Sequence, residues 1–208
     1  MKNFINAHNK INNDEIREFN EDFNKEFIES LDLNIKIQKF EGILDNKECD
    51  DATIYQTVWL KNIDRLIKLI PKKINLSNYN LCDVGCGIGI STIYFQKKFQ
   101  FKSYSGFDIS EELIEASKKI LKQLNLESEI NVNVDNALYK KLDSKPYVLF
   151  LFNPFGKKTL KKFINNNIEN LKKNKSIILY ANDLLINSIK YHKDLYRDDY
   201  FNLSCILF

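Results

Sequence analysis

A chain of 208 residues, 44% of them hydrophobic, suits one domain that buries roughly 70% of its unfolded surface, which excludes a disordered polypeptide and one dependent on disulfide or metal staples. Its 31 basic and 28 acidic residues leave a net charge of +3, a near balance that does not favour a nucleic-acid partner. Four cysteines without a C-x-x-C pair (Cys49, Cys82, Cys86 and Cys205) and only two histidines, His8 and His192, argue against a zinc site, so no metal is expected. Residues 1–8 lack the apolar core of a signal peptide and no run approaches 18 apolar residues, so the reading is a cytoplasmic protein with no membrane partner and reduced cysteines.

Ile16, Phe19, Phe23, Phe27 and Leu31 recur at helical spacing on a charged segment, which predicts an amphipathic helix over 14–31. Residues 1–51 read as a helical extension, a lid or packing element on the domain at 52–208. Leu33 to Ile43 is expected as a short hairpin or strand. Ile63, Leu66, Leu69 and Ile70 define a helix stopped by Pro71.

Leu81-Cys82-Asp83-Val84 is an apolar strand that runs into Gly85-Cys86-Gly87-Ile88-Gly89. Alternate glycines allow a sharp turn and a close approach of the backbone, and a helix starting near Ile90-Ser91 would then aim its first N–H groups at a polar or anionic ligand. Ser103 to Asp108 reads as a second strand ending in an acid. Asp108 is placed either to accept ribose hydroxyls or to cap the helix marked by Leu113, Ala116, Ile120 and Leu124, for which Ser110 is itself a good cap. Glu129 to Val134 alternates as a strand, and Ala137 to Leu142 is a short helix or turn. Tyr147 to Phe152 is apolar throughout, as a strand buried on both faces requires. Thr159, Leu160, Phe163, Ile164 and Ile168 mark a helix and Ser176 to Tyr180 another buried strand. The ending, Tyr200 to Phe208, is expected as a last strand paired with a short one around Leu195-Tyr196. The alternation predicts an α/β fold with a doubly wound, mostly parallel seven-strand sheet, helices on both faces and an N-terminal helical extension.

The dinucleotide fingerprint G-x-G-x-x-G would need glycine where Ile90 stands. The run Asp83-x-Gly85-x-Gly87-x-Gly89 instead resembles the first motif of the class I S-adenosylmethionine-dependent methyltransferases, and the resemblance covers about residues 52 to 180. It implies that Asp83, Gly85, Cys86, Gly87 and Gly89 hold the amino-acid part of the cofactor, that Asp108 and Ile109 hold its ribose, and that Asp135, Asn136 and Ala137 hold its adenine. Asp135 or Asn136 would equally suit a helix cap.

Phe152-Asn153-Pro154-Phe155-Gly156 resembles the fourth motif, which in amino-group enzymes is Asn-Pro-Pro followed by an aromatic residue; this chain has one proline. The resemblance makes Asn153, Pro154 and Phe155 catalytic candidates, with Asn153 also touching the cofactor. The Asn153 amide and the carbonyl beside Pro154 would accept N–H bonds from a target nitrogen, and Phe155 would wall the sulfonium or serve as core. Ala52 to Thr57 resembles a loop of small bacterial members and of seven-strand lysine methyltransferases. By that likeness Tyr55 is catalytic and Thr57 touches the cofactor. A hydroxyl acceptor would need a base, Tyr55 or an unassigned carboxylate.

The expected function is methyl transfer from S-adenosyl-L-methionine to an N or O acceptor on a small molecule or glycan precursor. The alternatives are a protein lysine N-methyltransferase and a non-catalytic cofactor-binding partner module. A monomer or homodimer is expected. Lys157, Lys158, Lys161 and Lys162 either draw an anionic acceptor or form a solvated helix face.

Overall fold

The apolar runs pair into one seven-stranded sheet. The computed structural model describes residues 13–44 and 49–208; His8 and the segment read for a signal peptide lie outside them. The strands are β1 (Asn80–Val84), β2 (Ser103–Asp108), β3 (Ile130–Val134), β4 (Tyr147–Phe152), β5 (Ile177–Ala181), β6 (Asp194–Asp198) and β7 (Leu203–Leu207), in the order β3-β2-β1-β4-β5-β7-β6. Strands β1 to β5 are parallel, and β7 runs antiparallel to both neighbours, with Leu195 opposite Ile206 and Tyr196 opposite Cys205. Strands β1 and β5 are buried along their whole length and β4 along all but its last residue, as continuous apolar runs covered on both faces must be.

The helices are α1 (Asp14–Ser30), α2 (Leu60–Leu69), α3 (Ile90–Lys98), α4 (Glu111–Gln123) and α5 (Lys157–Lys173). The first four cover one face, packed over Leu81, Val148, Phe150, Ile177 and Leu179. On the other face, Leu160, Phe163, Ile164 and Leu171 of α5 pack over Cys82, Leu149, Leu151, Ile178 and Tyr180.

Residues 137–142 are a turn and irregular chain, not a helix. A row of asparagines on α5 holds that segment by its backbone: Asn166 donates to Leu138 O, Asn167 donates to Lys140 O and accepts from Leu142 N–H, and Asn170 donates to Leu142 O and Asp143 O. These bonds satisfy main-chain groups that a helix would satisfy itself.

Helix α1 ends one residue before the expected Leu31 and docks on α2 and α3. Phe27 meets Tyr94 edge to face at 5.0 Å, whereas Phe19 stays 56% exposed, so the phenylalanine stripe is only partly used. Asn24 accepts the Leu60 N–H and donates to Val58 O, which caps the start of α2 from another helix. Leu33 to Ile43 is not a strand: it holds a 3-10 turn over Ile37–Phe40 that buries Ile37 and Phe40. The loop beyond it exchanges main-chain bonds with Tyr55, Gly42 N–H to Tyr55 O and Tyr55 N–H to Ile43 O.

Candidate active site at the switch point

The sheet order reverses between β1 and β4, and the carboxyl ends of those two strands open a crevice where α/β sheets place their ligands. A cavity of about 460 Å³ lies there, within the range of small-molecule sites. Of the residues nominated from sequence, Tyr55, Thr57, Asp83, Gly85, Cys86, Asp108, Ile109, Asp135, Asn136, Ala137, Asn153, Pro154 and Phe155 line it. Gly87 and Gly89 do not, and the reason is geometric.

Gly87 has φ +54°, and a Cβ there would lie 2.0 Å from the Tyr55 ring. Gly85, with φ +76°, would carry its Cβ 2.3 Å from that of Pro154. The bare backbone of the loop thus admits Tyr55 and Pro154, two walls of the cavity. Gly89 is the left-handed N-cap of α3.

The loop's own N–H groups are engaged within the protein. Gly85 and Cys86 both donate to Phe107 O, at 2.8 and 3.0 Å, and Gly87 donates to Asp108 Oδ2 at 2.9 Å. The loop is stitched to the end of β2. The first main-chain bond of α3 runs from Ile93 N–H to Gly89 O, so the N–H groups of Ile90 to Thr92 precede it, and Ile90 and Ser91 line the cavity. Asp108 also accepts the Ser110 N–H at 3.0 Å, while Ser110, not Asp108, caps α4 by accepting from Leu113 N–H.

Asp83 is 2% exposed and accepts the hydroxyls of Ser91 and Thr92 at 2.5 and 2.8 Å. Burial pushes its carboxyl up to about 6, against the pull of those two hydroxyls and with a contribution from Asp108. The folded state therefore keeps a proton that the unfolded chain, titrating near 3.8, has lost. Stability falls as pH rises from about 3 to about 7, most steeply between about 4 and about 6, by roughly 3 kcal/mol in all. Comparing denaturation of the wild type and Asp83→Asn at pH 4 and pH 7 isolates this slope, since other groups cancel. The variant should gain roughly 2 kcal/mol relative to wild type over that interval.

The turn after β4 is clipped by the N-terminal segment. Asn153, at φ +46°, and Pro154 offer carbonyls that accept from Thr53, the first from its hydroxyl and the second from its N–H at 3.4 Å. Gly156 N–H donates to Asp51 O, and Ala52 bridges Phe155. Asp51 accepts the N–H groups of Lys158 and Thr159 at 3.0 and 3.1 Å and the Thr159 hydroxyl, so it caps α5 from outside. Burial alone would raise its carboxyl, but the Thr159 and Lys158 donors hold it below the ordinary value. The main-chain carbonyl expected to receive a target amine is therefore engaged within the protein. Phe155 lines the cavity and also packs in the core against Phe163.

Elsewhere, Asp135 pairs with Lys140 at 2.7 Å and accepts the Asn136 N–H, while Asn136 Oδ1 accepts from Leu138 N–H. Thr57 gives its N–H and hydroxyl to Glu41. Burial lifts the Tyr55 phenol far above its usual range. Sequence reasoning missed Asp51, Leu184 and Leu185, which also line the cavity, and named Thr53 and Gln56 only as part of the loop. One signal existed for Asp51: α5 opens Gly-Lys-Lys, with no capping side chain and two cations at its positive end, a start that calls for an acid from elsewhere.

Among the described residues no cluster of three or more metal-ligating side chains occurs, and no helix is long and apolar enough to cross a membrane. A candidate rRNA methylase from Clostridium thermocellum superposes with a TM-score of 0.54 and 16% identity, over 74% of this chain and 97% of that one. A member of the NADB-Rossmann superfamily from Streptococcus agalactiae gives 0.51 and 14%, over 74% and 68%. The M. capricolum protein TrmK, bound to S-adenosylhomocysteine, gives 0.43 and 20%, over 69% and 66%. At these identities the likeness is one of fold. The profile of the methyltransferase-domain family matches residues 75–200, more than half of the chain and every strand from β1 to β6. The chain belongs to that family, and it is a class I methyltransferase that uses S-adenosyl-L-methionine.

Proposed function

We propose that the enzyme methylates a neutral nitrogen that brings its own lone pair, an amine or a ring nitrogen, and supplies no general base. The observation that carries this reading is the engagement of every acidic group that the described residues place on the cavity wall. Asp83 holds Ser91 and Thr92, Asp108 holds Gly87 and Ser110, Asp135 holds Lys140, and Asp51 holds the start of α5. Burial raises the thiols of Cys49 and Cys86 as well as the Tyr55 phenol, and among the described residues no histidine lines the cavity. A hydroxyl acceptor would have nowhere to leave its proton before attack.

The cofactor supports the same economy of means. When bound, it supplies an activated methyl on a sulfonium that departs as a neutral thioether. The chain's part is then alignment and exclusion of water, worth up to ~7–11 kcal/mol through proximity. We assign the amino-acid end to the wall formed by Asp83 and the start of α3, the ribose to Asp108, and the adenine to Asp135 through Ala137. Tyr55 and Pro154 hold the loop, and Phe152, Asn153 and Leu185 stand where an acceptor would enter.

Tyr55→Phe tests the absence of a base. It keeps the ring over Gly87 and removes only the hydroxyl, so kcat should stay within about threefold of wild type, whereas removing a true general base costs 10²–10⁴. The pH dependence of kcat/KM should follow the acceptor's own titration. A hundredfold loss in kcat for Tyr55→Phe, with an enzyme group in the profile, would overturn the proposal.

A further inference from the structure

The near balance of charge in the sequence conceals a strong separation in space. Between residues 138–145 and 157–175, ten lysines stand against two acids, Asp143 and Glu169. Helix α1, on the opposite face of the sheet, carries seven acids against two bases. The two basic segments form one surface, because Asn166, Asn167 and Asn170 bond the irregular chain along the side of α5. Lys157, Lys161, Lys162 and Lys173 are exposed and pair with no carboxylate among the described residues. At the start of α5, Lys158 pairs with Asp50 and Asp51 caps the helix, whereas Lys157 beside them stays unpaired among the described residues.

Two aromatic rings stand on this surface. Tyr139, 72% exposed, follows directly on the cavity-lining stretch 135–137. Tyr191, 69% exposed, lies near the far end of α5, with the Lys172 ammonium 5.0 Å from its ring centre. Its φ of +66° is a left-handed conformation that bulky side chains rarely adopt. The apolar side chains of α5 are turned into the core, so the face offers nothing to insert into a lipid surface.

We propose that the α5 face docks a single-stranded segment of nucleic acid, with lysines tracking its phosphates and Tyr139 and Tyr191 stacking on unpaired bases, and that this leads a base into the cavity. The inference rests on the nitrogen-acceptor reading above, since the acceptor becomes a base nitrogen. The surface follows the pattern of strand binders, a cationic track with interleaved aromatic platforms.

The test uses the full chain and fluorescence anisotropy with a labelled single-stranded RNA of about 16 nucleotides, the same sequence as DNA, and anionic lipid vesicles as competitor. Binding should weaken steeply between about 50 and 200 mM salt. The triple variant Lys157→Glu, Lys161→Glu, Lys162→Glu should lose more than tenfold in affinity, with the log–log salt slope reduced by about 2. Tyr139→Ala should lose about fivefold or more with the slope unchanged. Calorimetry on the same variants should find cofactor affinity intact, because these side chains lie on the surface outside the cavity. Preference between RNA and DNA tells which strand carries the base. Three outcomes overturn the proposal: no binding to either strand, equal binding by the triple variant and wild type, or displacement of the strand by vesicles. In each of these, intact cofactor binding leaves the methyl-transfer reading standing, whereas wild type that binds a strand but no cofactor sinks that reading instead.

Discussion

Replacing Gly87 with valine should abolish binding of S-adenosylmethionine, leaving no saturable signal in calorimetry. The new Cβ would lie 2.0 Å from the Tyr55 ring, so the ring or the loop must move by more than an ångström. Neither moves freely. The ring is tied through its backbone to Gly42 and Ile43, and the loop is tied through the Gly87 N–H to Asp108. A branched residue at φ +54° adds backbone strain of roughly 1–2 kcal/mol. Gly42 supplies the control: its φ is +85° but nothing lies within 4 Å of a Cβ built there. Gly42→Ala should therefore cost about 1 kcal/mol of stability and leave cofactor affinity within about threefold. Retained cofactor binding in Gly87→Val would mean that the loop is not part of the site.

Asp108→Ala should weaken the cofactor at least about a hundredfold, the other large effect expected. The carboxylate accepts two main-chain N–H groups, and each bond to a charged acceptor contributes roughly 1.5–3 kcal/mol. Without it, the Gly87 N–H loses this acceptor, and the ribose hydroxyls, in the assignment proposed above, would lose theirs. Asp108→Asn keeps one oxygen, so it should fall between wild type and alanine. Unchanged calorimetric affinity in the alanine variant would remove the ribose assignment.

How much of this could be read from residues alone follows from where the forces act. Strands β1, β4 and β5 are legible because a strand covered on both sides must be apolar at every position, and Tyr147 to Phe152 is. Helix α4 is legible because one face meets solvent. Helix α3 shows no clean stripe, since Ile90, Thr92, Ile93, Tyr94 and Phe95 are all buried between the sheet and the helices above. The turn at 137–142 stayed ambiguous because its partners are asparagines 27 and 28 residues away in the chain. The clip by Asp51 left only the uncapped Gly-Lys-Lys start of α5 as a sign, because that helix begins more than a hundred residues later. The separation of charge between α1 and α5 was hidden because composition sums what the fold keeps apart.

One stretch of backbone, residues 49 to 58, reaches both ends of the crevice: Asp51 fastens it at α5, Tyr55 rests on the glycine turn, and Asn24 of α1 receives it at Val58. Latch and occupant are then coupled partners. Whatever free energy a bound ligand gains by holding Tyr55 in place is returned as tighter seating of the whole N-terminal arm, and a loosened arm weakens the ligand by the same factor. Resistance of that arm to proteolysis thus becomes a readout of how full the crevice is.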